Sequence, residues 1–130
     1  MTPSHTVLLV DDYPDALDAW ELYLRAEGFT VLTALDGETA LAEAIRSKPS
    51  VIVLDLELPA MSGVEVAARL KRSTDTKDIP LIAATGYSYY KQLDLARAAG
   101  FDAVLVKPVD PRALSGEIRR LLGQRPPAGP

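Results

Sequence analysis

Five short apolar runs alternate along this chain with five segments of helical periodicity, and this alternation limits the possible folds more than any other feature of the sequence. Strands that are separated by helices pair in parallel, through right-handed crossovers that place helices on both faces of the sheet. The sequence therefore predicts a doubly wound α/β domain with a five-stranded parallel sheet. The predicted strands are residues 6–10, 29–35, 50–55, 79–84 and 103–106.

The helical segments carry apolar residues at three- and four-residue steps, the spacing of an amphipathic helix that packs on a sheet. Helices are expected over residues 14–27, 38–46, a stretch that begins after residue 63, 88–99 and 111–122. The residues expected to face the sheet are Ala40, Leu41, Ala44 and Ile45 in the second helix and Val64, Ala67, Ala68 and Leu70 in the third. Residues 1–123 are expected to form the domain, and the Pro- and Gly-rich residues 124–130 are expected to form a disordered tail.

The central predicted strand is apolar without interruption until it ends on Asp55. A run of this kind, rich in β-branched residues, is typical of a strand buried on both faces. Open α/β sheets bind their ligands in the crevice outside the carboxyl ends of the strands, so Asp55 is a candidate reacting group. Taken alone, Asp55 could equally be a turn residue, because Asp is common where chains leave strands.

Three other predicted strands also lead into polar side chains of complementary type. The first is followed by the acidic pair Asp11 and Asp12, the fourth by Thr85, and the fifth by Lys107. In the flavodoxin-like strand order 2-1-3-4-5, strands one and three are neighbours at the topological switch point. Each side chain has an ordinary alternative role, as a helix cap, a turn residue or a surface charge. Their joint placement at one sheet edge with Asp55 favours a common site.

Three carboxylates at one edge repel one another strongly unless a cation lies between them. A set of oxygen ligands without His or Cys suits Mg²⁺, which typically pairs protein carboxylates with a phosphoryl group. Phosphoryl transfer needs positioning and charge neutralisation, which a carboxylate nucleophile, a lysine and a hydroxyl would supply. The pattern predicts an aspartyl phosphate at Asp55, with Lys107 and Thr85 beside it.

The composition excludes several classes of protein. No apolar run is long enough to cross a bilayer, and the first residues lack the regions of a signal peptide, so a cytoplasmic protein without a membrane partner is expected. The chain has no Cys and only one His, His5, which excludes thiolate and imidazole metal centres. The net charge is −4 and the basic residues are scattered, a pattern that does not favour nucleic acid binding.

With these motifs the chain resembles, over residues 6–122, the response-regulator receiver domains of bacterial two-component signalling, the CheY-like superfamily. The matching marks are Asp11-Asp12, Asp55 in the segment 54–59 with Gly63 beyond it, Thr85, and Lys107-Pro108. The roles that the resemblance implies are phosphoacceptor for Asp55, Mg²⁺ ligands for Asp11, Asp12, Asp55 and the backbone carbonyl of Glu57, phosphoryl contact for Lys107 and switch hydroxyl for Thr85. It also implies a cis Lys107–Pro108 peptide.

The resemblance further implies a phosphorelay partner and a signalling role. The phosphoryl donor would be a histidine protein kinase or a histidine phosphotransfer protein, and the downstream protein stays open. The chain would not be an enzyme in the ordinary sense, although it would assist its own phosphorylation and dephosphorylation. One departure concerns the readout, because Val104 stands where the family usually has an aromatic switch residue. We predict that the segment after Thr85, with Tyr87, Tyr89 and Tyr90, carries the signal instead.

Two other classes of function are compatible with parts of the pattern. A pseudo-receiver would keep the fold as an interaction module without using phosphate, but the complete set of marks argues against it. A hydrolase with an aspartyl-phosphate intermediate would be expected to carry Asp two positions beyond the nucleophile, as dehalogenase-like phosphatases do, and this chain has Glu57 there. The sequence leaves open whether the domain acts alone or as one piece of a longer protein.

Overall fold

The computed structural model describes residues 5–86 and 89–123, with the side chains of residues 89–92 excepted. The elements in this part of the chain are β1 (Thr6–Val10), α1 (Pro14–Ala26), β2 (Thr30–Ala34), α2 (Gly37–Ser47), β3 (Val51–Asp55), α3 (Gly63–Arg72), β4 (Leu81–Thr85), α4 (Tyr89–Ala98), β5 (Ala103–Val106) and α5 (Pro111–Leu121). All strand pairs are parallel, in the order β2-β1-β3-β4-β5. The predicted fold class and strand order are confirmed.

The sheet separates two apolar clusters, because successive side chains of a strand point to opposite faces. On one face Leu8, Ile52 and Leu54 pack with α2, α3 and α4. On the other face Leu9 and Val53 pack with α1 and α5. Every residue of β3 and β4 is buried, as expected for inner strands that are covered on both sides.

The second helix packs differently from the prediction at one position. Ala40 and Ala44 are buried, but Ile45 is 48% exposed, so its predicted inward orientation is wrong. The reason is the close approach of α2 to α3 at Gly37, where an added Cβ would lie 2.8 Å from Cγ2 of Val66. This contact directs the Gly37–Ala40–Ala44 stripe inward and turns the following residue, Ile45, to solvent.

The third helix has a slightly different buried face from the predicted one. Val66, Ala67 and Leu70 are buried, whereas Val64 and Ala68 are only partly covered. Among the described residues, no helix has the length and apolar character that crossing a bilayer requires. The predicted tail at residues 124–130 lies outside the described residues and stays a prediction.

Candidate functional site

The carboxyl edge of the sheet brings three acidic side chains together. Asp55 is the last residue of β3, and Asp11 follows β1, which pairs with β3 up to Val10 and Leu54. Asp11 and Asp55 are buried, with 0% and 3% of their surfaces exposed, whereas Asp12 is exposed. One carboxylate oxygen from each of the three lies within 4.8 Å of the others. The predicted cluster is therefore present in the fold.

Lys107 reaches this cluster from the far side of β4. It follows β5, one of the two edge strands, and its Nζ lies 2.7 Å from Oδ2 of Asp11 and 3.2 Å from Oδ2 of Asp55. Its backbone N–H donates to the carbonyl oxygen of Thr85 at 2.8 Å. The Lys107–Pro108 peptide is cis, as the resemblance implied. One ammonium thus serves two buried carboxylates.

Thr85 ends β4, the strand that lies between the strand of Asp55 and the strand that leads to Lys107. It is fully buried, and its backbone pairs with Val106 on one side, while the preceding Ala84 pairs with Asp55 on the other. The strand order alone therefore places the hydroxyl residue between the carboxylate and the lysine.

The charges at this edge influence one another. Burial raises the pKa of the Asp55 carboxyl above its ordinary value, and the negative charge of Asp11 adds to this effect. The backbone N–H of Glu57, which donates to Oδ1 of Asp55 at 2.9 Å, and the Lys107 ammonium act in the opposite direction without cancelling it. Burial lowers the pKa of Lys107, but the Asp11 and Asp55 carboxylates outweigh burial, and the net shift is upward.

The loop after Asp55 is held against the strand end by Gly63. An added Cβ at Gly63 would overlap the carbonyl oxygen of Asp55 and would lie 2.8 Å from Cα of Leu56. The N–H of Gly63 donates to the carbonyl oxygen of Leu56 at 3.1 Å, which closes the loop. Glu57 lies in this loop beside the acidic cluster. The described contact of Glu57 with Asp55 uses its N–H, and the role of its carbonyl as a metal ligand stays a prediction.

The alternative role of the acidic pair, as caps of α1, does not match the geometry. The N-cap of α1 is Tyr13, and it makes no side-chain cap hydrogen bond. Asp11 accepts the N–H of Tyr13 at 2.9 Å through Oδ1, and its other oxygen pairs with Lys107. Asp11 therefore connects the beginning of α1 to the charge cluster.

The residues expected to carry the readout are only partly described. Val104 is half-buried in β5 and packs against the cluster on the α2, α3 and α4 face. Tyr87 and the side chains of Tyr89 and Tyr90 lie outside the described residues, so the predicted role of that segment stays a prediction.

Sequence reasoning missed a cleft of about 380 Å³ beside the cluster. It lies between the beginning of α1 and the β5–α5 loop, and the indole N–H of Trp20 donates to the carbonyl oxygen of Val109 at 3.2 Å. Trp20 lies on the buried face of α1 with Leu17 and Leu24, and no local sequence pattern indicates its partner 89 residues away. The cleft is lined by Tyr13, Ala16, Trp20, Lys107, Pro108 and Val109.

Known proteins share this sequence pattern and this architecture. The response regulator receiver domain family matches residues 7–119. The transcriptional regulatory protein PrrA of Mycobacterium tuberculosis is 38% identical over 122 residues, which are 94% of this chain and 52% of that protein. The chain thus spans about half the length of this relative.

Two solved structures are similar throughout the domain. The chemotaxis response regulator CheY4 of Vibrio cholerae superposes with a TM-score of 0.86 at 29% identity, over 92% of this chain and 99% of that one. The receiver domain of the sensor histidine kinase PA1611 from Pseudomonas aeruginosa, whose active site cleft coordinates a magnesium ion, has a TM-score of 0.86 at 26% identity, over 94% of this chain and 100% of that one. The family match, the strand order and the edge cluster agree, and this chain belongs to the response regulator receiver domain family.

Proposed function

We propose that this domain is a phosphorylation-controlled switch that accepts a phosphoryl group on Asp55 from a phosphohistidine of a kinase or phosphotransfer protein. The observation that carries the proposal is the placement of Lys107 Nζ within 3.2 Å of both buried carboxylates at the carboxyl edge of the sheet. Burying two carboxylates with one ammonium is destabilising, and an aspartate that only forms a turn does not require it. The cost is understandable if the site is built to receive further charged groups.

The transfer itself is a simple exchange of bonds. A carboxylate oxygen of Asp55 forms the new bond to phosphorus, while the bond from phosphorus to the donor nitrogen breaks and its electron pair leaves with the imidazole. The Glu57 N–H, at 2.9 Å from Oδ1, orients the carboxylate before the attack. The Lys107 ammonium, already at the cluster, neutralises the charge on the phosphoryl oxygens.

The donor set fits a divalent cation. Asp11, Asp12 and Asp55 offer oxygens only, they converge within 4.8 Å, and in the described part of the chain Lys107 forms ion pairs with two of them, Asp11 and Asp55. These carboxylates, with the Glu57 carbonyl, would hold Mg²⁺. When bound, the ion supplies positive charge to the cluster and to the phosphoryl oxygens. The magnesium in the cleft of the related PA1611 receiver supports this assignment.

The switch follows from the position of Thr85. Its place at the end of β4 lets its hydroxyl approach a phosphoryl group on the neighbouring Asp55, and the chain after Thr85 must then follow. The altered surface would change the binding of a downstream protein. The domain is in this sense a phosphoacceptor that assists its own phosphorylation and dephosphorylation, and it does not turn over an external substrate. The complete cluster argues against a pseudo-receiver.

The proposal is tested with a small phosphoryl donor, so that no partner needs to be known. The protein is incubated with acetyl phosphate and Mg²⁺, and its intact mass is measured over time. Wild type is expected to gain the mass of one phosphoryl group, and Asp55→Asn is expected to gain none. An Asp55→Asn protein that is modified as fast as wild type would overturn the assignment, as would a wild type that stays unmodified.

A further inference from the structure

The chain's single tryptophan contacts the loop that carries Lys107. Trp20 lies on α1 with 4% of its surface exposed, and its indole N–H donates to the carbonyl oxygen of Val109 at 3.2 Å. We call residues 107–110, between β5 and α5, the Lys107 loop. The bond therefore links α1 directly to the loop that carries the Lys107 ammonium.

The Lys107 loop is also held at its two ends. At its beginning, the Lys107 N–H donates to the carbonyl oxygen of Thr85 at 2.8 Å. At its end, the Asp110 side chain accepts the N–H of Arg112 at 2.8 Å and caps α5. Between these two points the loop borders the cleft of about 380 Å³, and the hydrogen bond from Trp20 holds the loop at Val109.

The position of this loop matters because of the path that the lysine side chain takes. Lys107 begins beyond the edge strand and places its Nζ between Asp11 and Asp55, on the other side of β4. A small displacement of the loop moves Nζ away from the reacting carboxylate. Misplacement of a charged group by about 1 Å is enough to slow a transfer reaction strongly.

We propose that Trp20 is a positioning residue for phosphoryl transfer, acting through the Val109 carbonyl to hold the Lys107 loop. The inference rests on the function proposed above for Asp55 and Lys107. Trp20 also packs in the apolar cluster with Leu17 and Leu24, so loss of the whole ring would disturb the core as well. A test must therefore remove the N–H and keep the ring.

The analogue 3-benzothienylalanine, incorporated at position 20, meets this requirement because sulfur replaces the N–H of the bicyclic ring. Phosphorylation by acetyl phosphate at saturating Mg²⁺ is followed by intact mass, and the Kd of Mg²⁺ is measured by NMR titration of backbone amides. The rate is expected to fall roughly three- to tenfold, the range set by loss of one hydrogen bond. The Kd of Mg²⁺ is expected to stay unchanged, and the amide resonances of residues 107–110 are expected to shift.

The matched control is Leu24→Val, a fully buried position on the same helix. It is expected to lose stability and to keep the wild-type rate, which separates positioning from packing. An analogue that is phosphorylated as fast as wild type overturns the inference alone. A parallel loss of Mg²⁺ affinity also overturns it, because the whole site is then disturbed. A wild type that gains no phosphoryl group overturns the proposed function and this inference together.

Discussion

Replacing the buried Asp55 by its uncharged isostere Asn is expected to stabilise the protein when no metal is bound. Asp55→Asn keeps the shape of the side chain and an oxygen that accepts the N–H of Glu57, which lies at 2.9 Å in wild type. It removes a negative charge that is 3% exposed and shares the Lys107 ammonium with Asp11. The substitution therefore removes one buried negative charge and leaves the ion pair between Lys107 and Asp11.

The magnitude follows from opposing contributions. Taking a carboxylate out of water costs several kcal/mol, and a hydrogen bond to a charged group returns about 1.5–3 kcal/mol. The Lys107 ammonium offsets only part of the remaining desolvation cost of Asp55, because it also forms an ion pair with Asp11 at 2.7 Å. The balance leaves Asp55→Asn more stable than wild type by about 1–2 kcal/mol at pH 7.

The pH dependence of the folding stability gives the sign of the Asp55→Asn effect independently. The pKa of Asp55 is raised in the folded protein above its ordinary value of 3.8. The stability that Asp55 contributes is therefore fully present below pH 3.8 and is lost as the pH rises through the folded pKa. The advantage of Asp55→Asn is expected to be largest at neutral pH and to vanish below the ordinary pKa, where wild type is also uncharged.

The assay is urea unfolding, followed by circular dichroism, in EDTA at pH 7 and near pH 3.8. Exposed Asp18→Asn, which also removes one negative charge from the chain, is the control and is expected to stay within about 0.5 kcal/mol of wild type. Mg²⁺ at 100 times its Kd is expected to stabilise wild type by about 2.7 kcal/mol. Wild type is then expected to be more stable than Asp55→Asn. An Asp55→Asn protein that is less stable than wild type in EDTA at pH 7, or a difference independent of pH, would refute the reasoning.

Three further predictions follow from the site and its loop. Asp12→Ala is expected to raise the Kd of Mg²⁺ and leave the fold intact, because Asp12 is exposed; an unchanged calorimetric titration would remove it from the site. Gly63→Ala is expected to destabilise the protein by about 2–4 kcal/mol in thermal unfolding, because the added methyl group overlaps the end of β3. Gly116→Ala, with open space around it, is expected to stabilise the protein by about 0.5–1 kcal/mol. Equal effects of the two substitutions would contradict the packing argument. Binding of beryllofluoride is expected to shift backbone NMR resonances in residues 86–92 more than at Val104, and the reverse pattern would refute the predicted readout.

The convergence of the candidate residues was predictable because the parallel topology alone brings the carboxyl ends of the strands to one edge. Asp55, Thr85 and Lys107 follow from where the apolar runs stop, and the strand order then makes them neighbours. Which member of the acidic pair contacts Lys107 was not predictable. Nothing in the sequence distinguishes Asp11 from Asp12, yet Asp11 is buried against Lys107 and Asp12 faces solvent.

Positions that depend on contacts between elements escaped prediction for a similar reason. The periodicity of α2 admits Ile45 on its inner face, but the approach of α2 to α3 through Gly37 rotates it outward. The contact of Trp20 with Val109 joins segments that are distant in sequence. Local sequence patterns predict which helices and strands form, whereas the contacts between these elements determine which side chains are buried and which of them form hydrogen bonds.

The position of β5 at the edge of the sheet links the chemistry of the site to local unfolding. Each residue of β5 is half-buried or exposed, while β3 and β4 are buried throughout. Less buried segments at the edge of a sheet exchange their amide hydrogens through partial openings that cost less than global unfolding. Each such opening of β5 would withdraw Lys107 from Asp11 and Asp55 while the carboxylates stay in the rigid centre. The ion pairs of Lys107 with Asp11 and Asp55 therefore depend on an edge strand of the sheet staying closed.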